Sequence, residues 1–224
     1  MSDAEFKPTP GETDGPVPKA VVSRLSLYLR QLQQGLLGGQ TTISSKELGR
    51  LLGFTDAQVR KDLAYFGHFG YPGIGYKCEE LISAVKRILG TDQTWPVALV
   101  GLGNLGRALI GYKGFAQRGF TIVAAFDNDP GVVAAGPIDG LPLYHLDNLP
   151  EVARQNRIRL GMIAVPGPAA QSVADRLVAV GVEGILNFAP VTIKLPEGVS
   201  QVGVDLAIEL EQLTFSVVNR GATT

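Results

Sequence analysis

The chain has almost no cysteine and almost no histidine: one Cys and two His in 224 residues. A single thiol, Cys78, excludes an intramolecular disulfide and suits a reducing cytoplasm. His68 and His145 fall in segments read as loops. No Ser-His-Asp order and no His/Cys/Asp/Glu cluster at metal-ligand spacing presents itself. Neither a catalytic residue nor a bound metal is expected. No apolar run approaches the ~18 residues of a membrane-spanning helix, and the N-terminus lacks a basic-then-apolar signal pattern. Charge is sparse as well, 18% of residues against 45% apolar, with a net of −1. The chain reads as cytoplasmic and globular, long enough for two domains with a core each.

What charge there is lies unevenly. Residues 1–18, rich in Pro, Gly, Thr and acids, carry a net −3 and read as a disordered tail. Residues 19–90 hold ten basic side chains against five acidic ones, and residues 91–224 nine against twelve. A basic third on an acidic body points to a polyanion partner for that third alone.

Within the basic third, Val21, Val22, Leu25, Tyr28, Leu29, Leu32 and Leu36 recur at helical spacing, and Gly38-Gly39 ends the helix. Ser44-Ser45-Lys46-Glu47 is a capping box opening a helix to Leu52. Thr55-Asp56-Ala57-Gln58 is a second box, opening a helix to about Phe66; the turn at Gly53-Phe54 matches helix-turn-helix spacing. On that second helix Val59, Leu63 and Phe66 form an inward stripe. Gln58, Lys61 and Tyr65, with Arg60 beside them, form one that can enter a major groove. Asp62 is expected to turn from phosphate or to pair with Arg60 or Lys61. The glycine-punctuated stretch 67–76 reads as a hairpin, and 79–89 as a further helix. Cys78 opens that helix and reads as an idle thiol, a stabilised thiolate being the alternative. Three helices, a recognition helix and a hairpin make a winged helix-turn-helix over 19–90.

From residue 91 strands and helices alternate. Strands are expected at 97–100, 121–126, near 141–144, 160–165, 184–187 and 201–204; helices at 104–117, 148–155, 167–180 and 206–218. This is an α/β pattern, a Rossmann-type doubly wound parallel sheet over 91–205. Between the first strand and helix stands Gly101-Leu102-Gly103-Asn104-Leu105-Gly106. Gly101 permits the tight turn, Gly103 lets backbone approach a pyrophosphate, and Gly106 lets helix and strand pack closely. Asp127 ends the second strand, 21 positions after Gly106, where an acid accepts from ribose hydroxyls and repels a ribose phosphate. No Arg follows it, so the reading is NADH and NAD+ rather than their phosphorylated counterparts. Val165 and Pro166, at the end of the strand 160–165, are assigned to the same site. The helix 206–218 is apolar on more than one face and reads as packing on a partner subunit, with docking on its own domain as the alternative.

These residues resemble the Rex family of redox-sensing transcriptional repressors, from about Pro18 to Val218. The resemblance is carried by Val22-Ser23-Arg24-Leu25 with Tyr28-Leu29-Arg30, by Ser44 to Leu48, and by Gln58 to Leu63 with Tyr65-Phe66-Gly67. It continues through Gly101 to Gly106, Phe126 to Pro130, and Ile185 to Pro190. It implies repression by binding double-stranded operator DNA as a homodimer, released when NADH binds. It implies DNA contacts from Ser44, Ser45, Lys46, Thr55, Gln58, Arg60, Lys61 and Tyr65, and from Tyr71 and Gly73 in the wing. The wing tip Pro72-Gly73-Ile74 has no basic residue, so phosphate or shape contacts are expected there. It also implies that Asn187, Phe188, Ala189 and Pro190 lie near the nicotinamide, that the last helix, 206–224, is exchanged between subunits, and that Asp205 alternates between the partner's Arg30 and Tyr112 as a switch. Two rivals remain open: an NAD-dependent dehydrogenase, for which no proton donor or substrate domain is visible, and a regulator responding to coenzyme A.

Overall fold

The structure, a computed structural model, describes residues 17–221. Most of the tail reading, 1–16, lies outside them. The described residues fall into two compact units, divided between Gln93 and Thr94.

The first unit is built on α1 (Lys19–Leu37), whose Val21, Leu25, Tyr28, Leu29 and Leu32 point inward. It packs with α2 (Ser45–Leu52), α3 (Asp56–Ala64) and α4 (Cys78–Ile88) around Leu48, Val59, Leu63, Leu81 and Val85. Gly53 takes φ 75° between α2 and α3, as a short helix-helix turn demands. Gly49 is the second requirement: a Cβ there would stand 2.5 Å from the Phe54 carbonyl oxygen. Each expected capping box is half formed. Ser44 Oγ accepts from the Glu47 N–H and Thr55 Oγ1 from the Gln58 N–H, both at 3.1 Å. The Glu47 carboxylate accepts from Gln40 instead of reaching back.

The wing differs from the expected hairpin over 67–76. The ladder joins β1 (Thr42–Ile43) to β2 (Tyr76–Lys77), antiparallel, and the loop 67–75 leading into β2 turns back on itself only at the Tyr71–Gly75 bridge. Gly73 and Gly75 at φ 76° and 87° shape that loop. Strand partners thus lie some thirty residues apart in sequence, which local alternation does not reveal.

Asp62 turns inward, and the alternative of pairing with Arg60 or Lys61 is corrected. It is fully buried, and Arg24 donates to both of its oxygens, at 2.6 and 2.8 Å. The Tyr28 hydroxyl and Gln58 Nε2 complete the set at 2.8 Å each. Burial works to raise its pKa, but the donors Arg24, Tyr28 and Gln58 outweigh it and hold the carboxyl below its ordinary 3.8. Arg60 pairs with Asp56 at 2.7 Å, and Lys61 has no ion pair among the described residues. Because the folded pKa is depressed, this clamp contributes fully above the unfolded carboxylate value and is lost as pH falls through the folded one. Arg24→Met is expected to destabilise the first unit by about 2–3 kcal/mol near neutral pH. The deficit should shrink below pH ~4 as both proteins become protonated. Urea unfolding as a function of pH measures it; a deficit that does not change with pH would contradict the clamp.

The second unit is a six-stranded, all-parallel sheet in the order β5-β4-β3-β6-β7-β8: Leu143–His145, Phe120–Asp127, Trp95–Val100, Leu160–Ile163, Gly184–Asn187 and Ser200–Gly203. Helices α7 (Leu149–Gln155) and α8 (Gly167–Ala179) pack on one face, around Phe126, Leu149, Ile163 and Leu177. On the other, Leu109 and Ile110 of α5 (Asn104–Ile110) pack on Val97, Leu99 and Met162. The expected helix 104–117 is thus shorter, broken at Gly111 before a single 3-10 turn at Ala116–Arg118. A short α6 (Pro130–Ala134), not expected, follows Asp129 as its cap. No helix lies between β7 and β8. An open apolar groove of about 520 Å3 remains on that face, floored by Met162, Leu186 and Val202 and edged by Tyr112 and Phe115. Helix α9 (Leu206–Val218) has no buried residue.

Candidate functional site

The sheet order reverses between β3 and β6, and the crevice beyond the strand ends at such a switch point is where α/β sheets bind ligands. The glycine stretch is there. Gly101, at φ 100°, has no room for a side chain: a Cβ would stand 2.5 Å from the Ala164 oxygen and 2.8 Å from Val165 Cγ1. Gly106 is tighter still, 1.9 Å from the Gly101 oxygen. Gly103 is the opposite case, exposed with nothing within 4 Å. It starts α5 with no side-chain cap, so the first N–H groups of that helix are free for an anion. Leu102 is buried and anchors the turn, while Asn104 and Leu105 are exposed beside Gly103.

Asp127 is joined to this turn directly. Its Oδ2 accepts from the Leu102 N–H at 2.8 Å and its Oδ1 from the Asp129 N–H at 2.9 Å. Each oxygen keeps a lone pair, so the carboxylate can accept further from hydroxyls. The arrangement fits a dinucleotide: open backbone where phosphates approach, and an acceptor-only group where a ribose would lie.

Val165 occupies the space that a side chain at Gly101 would need, and Pro166 precedes α8, which has no side-chain cap either. The Phe188 N–H donates to the Ile163 oxygen, bringing the end of β7 to that of β6. Asn187, expected near the nicotinamide, also holds its own loop. It is buried, its Nδ2 donates to the carbonyls of Ala189 and Val191, and its Oδ1 accepts from the Ala189 N–H. Its polar atoms shape the loop through Ala189 and Pro190. Sequence reasoning had no signal for this, because a strand-end Asn looks the same whether it faces ligand or loop.

In the first unit, Lys46 and Lys61 are exposed without ion pairs among the described residues. Arg60 Nη1 donates to Asp56 and to Ser45 Oγ at 3.2 Å, tying α3 to α2. The Ser44 and Thr55 hydroxyls are occupied as caps, and Tyr65 is half-buried. Tyr71 in the wing donates to Glu80 at 3.0 Å and lies under Lys77 Nζ, 4.7 Å from the ring centre. Burial pushes the Cys78 thiol up, with the Glu47 charge adding to it, so the idle reading stands.

Of the switch trio, Arg30 is exposed on α1. Tyr112 is exposed and packs edge-on against Phe115, ring centres 4.9 Å apart. Asp205 caps α9 through the Ala207 N–H at 2.9 Å. Among the described residues no group of acids, His and Cys could hold a metal, and no helix is long and apolar enough to cross a membrane.

Two family models match the sequence. One, described as "Putative DNA-binding protein N-terminus", covers residues 16–64; the other, described as "CoA binding domain", covers 92–191. The redox-sensing transcriptional repressor Rex of Desulfitobacterium hafniense is 48% identical over 206 residues, 92% of this chain and 98% of that protein. The chain belongs to the Rex family. Rex of Streptomyces coelicolor is also 48% identical, over 89% of this chain and 77% of that one. Among solved structures, RSP in complex with β-NAD+ and operator DNA matches at TM-score 0.86 and 34% identity, covering 93% of this chain and 95% of RSP. RSP is described as a Rex-family repressor, and its complex with β-NADH matches at TM-score 0.82. Rex proteins are repressors rather than enzymes, so the dehydrogenase rival is not favoured.

Proposed function

We propose that this Rex-family chain represses transcription in the cytoplasm by holding operator DNA as a homodimer, and releases it when NADH binds the second unit. The observation that carries the reading is the pairing, in one chain, of a helix-turn-helix with a glycine turn whose backbone is hydrogen-bonded to Asp127. Gly101 to Gly106 would receive the pyrophosphate and Asp127 the ribose hydroxyls. Val165, Pro166 and the loop 187–190 would wall the nicotinamide end. Bound there, the nicotinamide contributes a neutral ring when reduced and a cationic one when oxidised, and an apolar pocket favours the neutral form because burying an unpaired charge is costly. Ser44, Ser45, Lys46, Thr55, Gln58, Arg60, Lys61, Tyr65, Tyr71 and Gly73 form the DNA face.

The dimer reading rests on two unpartnered features of the second unit. The groove over Met162, Leu186 and Val202 lacks the crossover helix that would cover it, and α9 presents Leu206, Leu210, Leu213 and Val217 to solvent. Exchange of α9 between copies covers both, and Arg30, Tyr112 and Asp205 form the switch across the pair. The reduced cofactor must favour a subunit arrangement that operator does not, since a ligand of equal affinity for both shifts nothing. Two recognition helices span half-sites about one helical turn apart, and rotating the subunits spoils that spacing.

Titrating operator duplex against the purified chain at fixed NADH/NAD+ ratios tests the coupling. Operator affinity should fall as the ratio rises, by roughly 5- to 150-fold. Linkage requires operator to weaken NADH binding by the same factor. Equal affinities at all ratios would refute the reading. Coenzyme A, the effector of the other rival, which the Rex relatives likewise do not favour, should give no heat in calorimetry where NADH does.

A further inference from the structure

Gln58 is the third residue of α3, in the turn that meets base edges when such a helix lies in a major groove. Its Nε2 donates to Asp62 Oδ1 at 2.8 Å, one helical turn on, and its Oε1 has no partner among the described residues. Gln58 is itself half-buried, between the protein interior and the exposed helix face. Asp62 is buried completely, and its other donors are Arg24 and the Tyr28 hydroxyl. A carboxylate paired with a guanidinium in this way stays ionised and can only accept hydrogen bonds.

That one-sidedness matters for Gln58. A free glutamine carboxamide turns either end toward a ligand, donor or acceptor, by rotating about its last bond. Here one of the two nitrogen protons is held from inside, so the carboxamide cannot turn over, and Oε1 stays on its outward end. We infer that Asp62 sets the base selectivity of α3 by holding the Gln58 carboxamide in one orientation, with Oε1 offered to the major groove as an acceptor. Adenine and cytosine present an amino donor there; guanine and thymine present only acceptors and, for thymine, a methyl group. The half-site therefore carries adenine or cytosine at the base that Gln58 faces. Asp62 touches no DNA and is a positioning residue. Asp62→Asn keeps the shape but adds a donor, which can satisfy Oε1 from inside and let the carboxamide turn over. The inference rests on the operator-binding reading above.

Selection from a pool of random duplexes with the full chain, Gln58→Ala and Asp62→Asn tests it. The unsubstituted chain should prefer adenine or cytosine at one base per half-site by roughly five- to tenfold. Gln58→Ala should erase that preference at that base alone, and Asp62→Asn should do the same while the flanking preferences persist. An Asp62→Asn protein that keeps the original preference, or loses preference equally at every base, overturns the inference. A second measurement needs no Asp62 variant. In the NMR spectrum of the unsubstituted chain, the Gln58 side-chain amide pair is the one missing from Gln58→Ala. One proton of that pair should be shifted downfield and slow to exchange with solvent, whereas a pair at ordinary free-glutamine positions overturns the clamp. A chain that selects no duplex at all overturns the operator reading itself, and the NMR result still decides the clamp.

Discussion

Gly103→Val is expected to leave both units folded and to abolish the release of operator by NADH. The position tolerates a side chain sterically: the glycine is exposed, its φ is −67°, and an added Cβ meets nothing within 4 Å. What it does not tolerate is a ligand arriving on the same ground. The free N–H groups at the start of α5 serve a pyrophosphate only at hydrogen-bond distance, and two methyl groups over that backbone keep the phosphates out. Losing even two charge-assisted hydrogen bonds corresponds to roughly a hundredfold or more in affinity. Calorimetry should show that loss for NADH while operator affinity without cofactor and the melting curve stay near the original. Gly106→Ala is the contrast. Its Cβ would stand 1.9 Å from the Gly101 carbonyl oxygen, so backbone must move, and the melting transition of the second unit should fall with cofactor binding. If Gly103→Val binds NADH normally, the phosphate site lies elsewhere.

Leu210→Glu with Leu213→Glu should turn the protein into single subunits and cost it the operator. Both side chains are more than half exposed on a helix with no buried residue, on the same stripe as Leu206 and Val217. A water-facing stripe of that kind marks an association surface, and the groove over Met162, Leu186 and Val202 is an apolar surface of the same unit awaiting a cover. Two buried glutamates would each need a partner they do not have. Sedimentation equilibrium should report the mass of one chain. Operator affinity should drop by roughly a hundredfold or more, because two linked half-site contacts become one. NADH affinity should change little, since the glycine turn and Asp127 lie within one chain. A variant that still sediments as a dimer would remove α9 from the interface.

Much of this was legible beforehand because it is written locally. The helix starts at Ser44 and Thr55, the stop at Gly53, and the glycine spacing from Gly101 to Gly106 each depend on a few neighbouring residues, and each stands where expected. The errors fall where distant residues decide. The wing ladder pairs Ile43 with Tyr76, so no pattern within 67–76 could disclose it. Asp62 looked like the partner of Arg60 or Lys61 because those are its chain neighbours. Two of its three partners, Tyr28 and Arg24, are 34 and 38 positions away on α1; the third, Gln58, is four positions back.

The amino-acid order alone determined the two-module plan, the parallel sheet, the glycine turn and the acid 21 positions beyond it, because periodicity, caps and turn geometry act over a few residues at a time. Tertiary structure decided which polar side chains are free to meet a ligand and which are consumed inside: Asp62 and Asn187 are buried, and Gln58 and Arg60 are tied to protein partners, while Lys61 and Gly103 remain open. The reason is that a buried polar group must find partners wherever the packed chain brings them, and sequence distance sets no limit on where that is.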